Sequence, residues 1–304
     1  MTPLIIDTDP GIDDALALFV AAGSPELQLL GVTTVAGNRP VEITSTNACR
    51  LLDLAGCDAV PVFAGCARPI ASCEARTNLV HGADGLGGIA LDTRRGPVDE
   101  HATAFLARTL REQPEGTVVL VAVAPLTNLA MVEILHPGLL RRARQVNIMG
   151  GAAFCPGNIT PNAEFNFYAD PIAAHVVLSS GARIHLFGLD VTSSAVMSES
   201  WIRSLADLPN RCAKSAHAML EAYAALDPLL HDACPVAHLV DPSLFSGEPC
   251  TVEVDWRPGP TEGRSIAWTA ERTDSPRSPN VMLHRSVHND ALLDLVRSRI
   301  AALP

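Results

Sequence analysis

The sequence predicts an α/β fold: an open, mostly parallel, doubly wound (Rossmann-like) sheet with helices on both faces. Three observations carry the prediction. Short apolar runs alternate with helical stretches from the start of the chain to about residue 190. These runs are apolar throughout rather than alternately apolar and polar, as strands covered on both faces are. No linker and no internal repeat interrupts the chain, so residues 1–304 are expected to form one domain.

The elements follow in order. PLIID (3–7) reads as a buried strand that Pro10 and Gly11 break, and residues 13–22 as a helix closed by Gly23 and Pro25. LQLLGVTTVA (27–36) is the second strand, 41–55 a helix, and AVPVFAG (59–65) the third strand. Residues 66–97 form a Gly-rich loop, and a helix at about 99–112 leads into the strand TVVLVAVA (117–124). Pro125 starts the next helix, since a missing N–H costs nothing at a helix N-terminus. QVNIMGG (145–151) and RIHLFGL (183–189) are strands flanking a helix at about 170–180. Residues 198–240 read as helical, CTVEVDW (250–256) and SIAWTA (265–270) as later strands, and 289–303 as an amphipathic terminal helix.

Composition narrows the function classes. Apolar residues make up 48% and charged residues 18%, enough for a large core and against disorder. The net charge of −11 argues against nucleic-acid partners, which call for a Lys/Arg excess. The one basic run, Arg141-Arg142-Ala143-Arg144, reads as a solvated helix end. Eight cysteines occur with no Cys-x-x-Cys pair, and no signal-peptide pattern or membrane-length apolar run is present. A soluble protein of the reducing cytoplasm, not bound to membranes, is expected.

The stretch DTDPGIDDA (7–15) carries chemistry. Asp7, Asp9, Asp13 and Asp14 crowd together, and no Lys or Arg precedes Arg39. Two carboxylates ~4 Å apart repel by roughly 4 kcal/mol at an effective dielectric of about 20. A helix N-terminus returns only ~0.3–1 kcal/mol per carboxylate. A divalent cation answers the problem, and hard oxygen ligands favour Ca²⁺ or Mg²⁺ over zinc. An EF-hand is excluded because its required sixth-position Gly would be Ile12. An Asp-x-Asp-x-Thr phosphatase motif of the haloacid-dehalogenase type would need Thr where Gly11 stands. In a doubly wound sheet, ligands bind beyond the carboxyl ends of the strands. Polar residues following each strand should therefore converge.

DTDPGIDDALAL resembles the N-terminal signature of the inosine-uridine preferring nucleoside hydrolases. TTVAGN (33–38), VHGADGLGG (80–88), VAPLTNLA (123–130), IMGG (148–151), AEFNFYADP (163–171) and HDACPVAHLVDP (231–242) follow in family order. The resemblance implies an open α/β fold, a tightly held Ca²⁺ and hydrolysis of the N-glycosidic bond of ribonucleosides. It implies metal ligation by Asp9, Asp14, the Val123 carbonyl and Asp232, with Ala124 where relatives often have Gly. Asp9 would also be general base to the attacking water, and Asn38 would help place that water. Asp13, Asn158, Glu164 and Asn166 would hold the ribose hydroxyls; Glu164 and Asn166, two apart, would share one side of an extended segment. Met149, Phe165 and His81 would line the substrate pocket, Phe165 mainly by packing and His81 from a Gly-rich lid. His231 would protonate the leaving base; the other eight histidines, His81 aside, read as incidental. Nucleoside salvage and a homo-oligomer, dimer or tetramer, are further implications. A non-catalytic Ca²⁺- or nucleoside-binding homologue and a metal-dependent phosphatase remain as alternatives.

Overall fold

A computed structural model describes residues 1–269, 271 and 278–304. The elements are β1 (Thr2–Thr8), α1 (Ile12–Ala22), β2 (Leu27–Thr34), α2 (Val41–Leu54), β3 (Val62–Ala64), α3 (Ala102–Glu112), β4 (Val119–Ala122), α4 (Thr127–Leu135) and β5 (Gln145–Met149). They continue with α5 (Phe165–Ala169), α6 (Pro171–Leu178), β6 (Ile184–Phe187), α7 (Leu189–Thr192), α8 (Glu199–Ala206), α9 (Arg211–Tyr223) and α10 (Ala233–Val240). The chain ends with β7 (Phe245–Val254), β8 (Ser265–Thr269), β9 (Val281–Val287) and α11 (Asn289–Ala301).

The strands join in the order β3-β2-β1-β4-β5-β6-β9-β7-β8. β3 to β6 and β9 run parallel, whereas β7 is antiparallel to both of its neighbours. Chain order thus reverses on either side of β1, whose Asp7 pairs with Thr33 on β2 and Ala122 on β4. This is a switch point, where the loops beyond the strand ends diverge and leave a crevice. The apolar strands bury both faces. One core packs α1, α2 and α8–α11 against the sheet; the other packs α3, α4 and α6.

Several expected elements are trimmed, for a reason that serves the site. β2 stops at Thr34, β4 at Ala122 and β5 at Met149, where the parallel ladders end. Residues 35–38, 123–126 and 150–151 therefore leave the sheet at its carboxyl edge. α4 begins at Thr127, so Pro125 lies in the preceding turn rather than at the first helical position. The helical stretch 198–240 divides into α8, α9 and α10, and residues 224–232 run outside helix. β9 was not anticipated: MLHRSV mixes polar and apolar residues, and only pairing with β6 and β7 makes it a strand. Ala270, at the end of the expected strand 265–270, lies outside the described residues.

Candidate active site

A cleft of about 280 Å³ opens at the carboxyl edge of the sheet. Asp13, Asn38, His81, Val123, Met149, Asn158, Glu164, Phe165, Asn166, His231 and Asp232 all line it. Asp9 and Asp14 lie just beneath, 1% and 0% exposed. The residues expected from sequence to form the site are thus gathered in one place. No lysine or arginine is among the described residues lining the cleft.

The acidic floor is built by the β1–α1 turn. Asp14, in the first turn of α1, accepts the Gly11 N–H at 2.8 Å and the Asp9 N–H at 3.2 Å, and also the Thr8 hydroxyl. Asn38 locks the neighbouring loop on: its N–H donates to Asp9 Oδ2 at 2.5 Å and its Nδ2 to Asp14 Oδ2 at 3.2 Å. A Cβ at Gly37 would stand 2.1 Å from Asp9 Oδ2, so only glycine lets the loop approach this closely. Asp9 Oδ1 is buried without a hydrogen-bond partner among the described residues. Asp13, Asp14 and Asp232 each bring a carboxylate oxygen within 4.8 Å of the other two. Asp232 occupies the N-cap position of α10 but makes no side-chain cap bond, so its carboxylate points to other work.

Electrostatics agree with geometry. Burial raises Asp14 to about 6. Burial, then the neighbouring Asp charges, pushes Asp9 and Asp232 well above the usual carboxylate range. Such groups resist ionising unless a cation joins them. An orphaned carboxylate oxygen, three converging carboxylates, the Val123 carbonyl and no resident ammonium or guanidinium make a donor set suited to a hard divalent cation.

Asp7 parts company with its neighbours. Its Oδ1 accepts from Thr33 Oγ1 at 2.5 Å and Asn128 Nδ2 at 2.8 Å, and it does not line the cleft. The four-aspartate motif therefore splits: β1 ends at Thr8, and Asp7 is a sheet residue.

The opposite wall corrects a local expectation. Glu164 and Asn166 do not lie on an extended segment. Glu164 is the N-cap of α5, its Oε1 accepting the Asn166 N–H at 2.8 Å and its Oε2 the Gly151 N–H at 2.8 Å. An acidic side chain at a helix N-terminus outweighed the strand-like spacing. Asn166 sits in the first turn, with Nδ2 donating to the carbonyls of Val123 at 3.3 Å and Met149 at 3.2 Å. Asn158 Oδ1 accepts the Phe165 N–H at 3.0 Å.

Two histidines line the cleft. His81 Nδ1 accepts the Ile12 N–H at 3.1 Å, its Nε2 lies 3.7 Å from Asp13, and its ring stacks on Tyr223. His231 bonds Thr192 through Nδ1 at 2.9 Å and Asp227 through Nε2 at 3.2 Å. Burial alone would lower His231, but the hydrogen bond and charge of Asp227 outweigh it and hold the imidazole above its ordinary value. Tyr223, Asp227 and Thr192 were not singled out from sequence. YAALDPLL signals only an irregular segment, and Thr192 belongs to a four-residue helix with no sequence signature.

Comparisons with known proteins agree with this geometry. The family model for inosine-uridine preferring nucleoside hydrolase matches residues 4–294. The chain is 40% identical to the non-specific ribonucleoside hydrolase RihC of Escherichia coli, over 87% of each protein. It is 37% identical to the pyrimidine-specific ribonucleoside hydrolase RihA of Photobacterium profundum, over 98% of each. Among solved structures it matches a plant nucleoside hydrolase (TM-score 0.91, 33% identity, 99% of each chain). A purine-preferring ribonucleoside hydrolase from Gardnerella vaginalis matches as closely in shape (0.91, 31%, 98% of each). With an acidic floor, a polar wall and a histidine mouth in family order, this chain belongs to the inosine-uridine preferring nucleoside hydrolases.

Proposed function

We propose that the cleft hydrolyses the N-glycosidic bond of ribonucleosides, releasing ribose and free base, with Ca²⁺ held by Asp9, Asp14, Asp232 and the Val123 carbonyl. The observation that carries this reading is Asp9 Oδ1, buried without a partner among the described residues, with the converging carboxylates of Asp13, Asp14 and Asp232. A bound divalent cation would neutralise these carboxylates and acidify water in the site.

The chain's own residues supply the rest. Asn38 pins Asp9 through Oδ2, leaving Oδ1 to take the proton of a water attacking C1′. Asp13, Asn158, Glu164 and Asn166 offer oxygens and an amide to the ribose hydroxyls. Backbone N–H groups of Gly151, Asn166 and Phe167 fix the Glu164 carboxylate, which lines the cleft. The acidic surroundings stabilise the oxocarbenium-like sugar as the base departs. His231, whose imidazole Asp227 holds above its ordinary value, lines the cleft where it can protonate that base. Val80, Ile159 and Leu226, all substantially exposed, give the mouth an apolar edge for a planar base.

The lining disfavours a phosphatase, because no cationic side chain among the described lining residues is there to face a phosphate. Free cysteines, half of them buried, fit the reducing cytoplasm, and no helix of the described residues is long and apolar enough to cross a membrane. The test is release of reducing sugar from inosine, uridine, cytidine and adenosine, with and without chelator. Sugar release that chelator abolishes and Ca²⁺ restores is expected. No release from any of the four with Ca²⁺ present would leave a binding protein in place of an enzyme.

A further inference from the structure

Three of the remaining histidines meet under the last turn of α10. His185 comes from β6, His284 from β9 and His238 from α10. One ring nitrogen of each lies within 4.8 Å of those of the other two. His185 Nδ1 and His284 Nε2 are 3.2 Å apart, close to the roughly 3.3 Å edge of a tetrahedron with ~2.0 Å metal–nitrogen bonds. The rings are not a simple stack: His238 stands at 62° to His284 and at 42° to His185.

The surroundings hold the group in place. Phe187 stacks on His284 at 4.2 Å and 10°. Asn147 Nδ2 lies 3.4 Å from His238 Nδ1, and Asn147 is itself fixed by Pro235 O and Gln145. His284 Nδ1 is buried with no partner among the described residues; it is not the nitrogen that approaches His185, so the site rests on the convergence of the three rings. His185 is half-buried, which opens the group to solvent. We propose that His185, His238 and His284 form a second metal site, taking a borderline transition-metal ion of the zinc class.

The ligand chemistry separates this site from the acidic cleft. Three imidazoles without a carboxylate suit Zn²⁺, Co²⁺ or Ni²⁺, whereas the carboxylate floor suits Ca²⁺ or Mg²⁺. Burial holds His238 at about 4 and His284 at about 3, and burial with the nearby Arg183 charge lowers His185. His238 and His284 are therefore neutral at pH 7, the form that binds metal, and His185 is shifted the same way. Because α10 follows directly on Asp232, an ion here would tie the far end of that helix to β6 and β9. The inference is independent of the hydrolase reading.

The test is calorimetric titration of chelator-stripped, full-length protein with Zn²⁺ in excess Ca²⁺. Wild type and Asp14→Asn are expected to bind one Zn²⁺ each, with a rise in Tm. His185→Gln, at a half-buried position, should fold and hydrolyse nucleoside as wild type does but bind Zn²⁺ about 100-fold more weakly. Co²⁺ added to wild type under excess Ca²⁺ should give the visible bands of a tetrahedral nitrogen site, a readout that needs no variant. Absence of Zn²⁺ binding under excess Ca²⁺ overturns the proposal. So does Zn²⁺ binding that Asp14→Asn abolishes, or that His185→Gln leaves unchanged.

Discussion

Two buried clusters of ionisable side chains sit at opposite ends of α10, and burial acts on them with opposite sign. At the N-terminal end, Asp9, Asp14 and Asp232 are raised because burial disfavours their charged form. At the C-terminal end, His238 and His284 are lowered for the same reason. The acidic cluster is left wanting a cation; the imidazoles already rest in their uncharged form. One end of the helix is thus left wanting a hard cation, while the other already holds its imidazoles in the uncharged form that a softer metal takes.

The largest expected effect sharpens the account of the ligand-facing end. If Asp13, Glu164 and Asn166 grip the ribose diol, loss of the 2′-hydroxyl leaves buried polar groups unpaired. 2′-Deoxyuridine should then be cleaved about 10⁴-fold more slowly than uridine, measured as kcat/KM. Equal rates would remove the ribose from the polar wall.

A smaller effect probes the histidine that belongs to the cleft rather than to the triad. His231→Ala should slow inosine hydrolysis by about 10²–10⁴-fold. On p-nitrophenyl riboside, whose leaving group departs unprotonated, the loss should be only a few-fold. Equal losses on both substrates would make His231 a shaper of the pocket rather than its acid.

The smallest effect is on stability, and there the two ends should oppose each other. His238 and His284 have folded values of about 4 and about 3, against about 6.5 unfolded. Their contribution is complete above pH ~6.5 and lost as pH falls toward those values. Asp14 has a folded value of about 6, against about 3.9 unfolded. Its contribution is complete below pH ~4 and lost as pH rises through about 6. A divalent cation competes with protons for the acidic cluster. The rise in Tm on adding Ca²⁺ should therefore be several degrees larger at pH 8 than at pH 5, read by thermal unfolding. A rise that is the same at both pH values would detach Ca²⁺ from these carboxylates.

Legibility in the sequence followed the range of the interactions. β1, α1 and the site residues Asp9, Asp13 and Asp14 were readable because an apolar run, a Pro-Gly break and a helical repeat lie side by side. Asp232 and His231 were readable only through the resemblance that HDACPVAHLVDP carries. β9 was not, since its strand form depends on β6 and β7. Nor was the turn to helix at Glu164, where a spacing of two fits either an extended pair or a cap and its first turn. The histidine triad was invisible for the plainest reason: residues 185, 238 and 284 become neighbours only when the sheet and α10 assemble.

Gly37 carries a lesson for reading related sequences. It has no side chain to react or bind, yet that missing side chain makes the space in which Asp9 is held. A homologue with a larger residue there and every aspartate intact would keep the whole signature while its counterpart of Asp9 was pushed out of place. Scoring the reactive residues alone would count that chain as an active enzyme; the vacancy at position 37 is as much a diagnostic letter as the aspartate it accommodates.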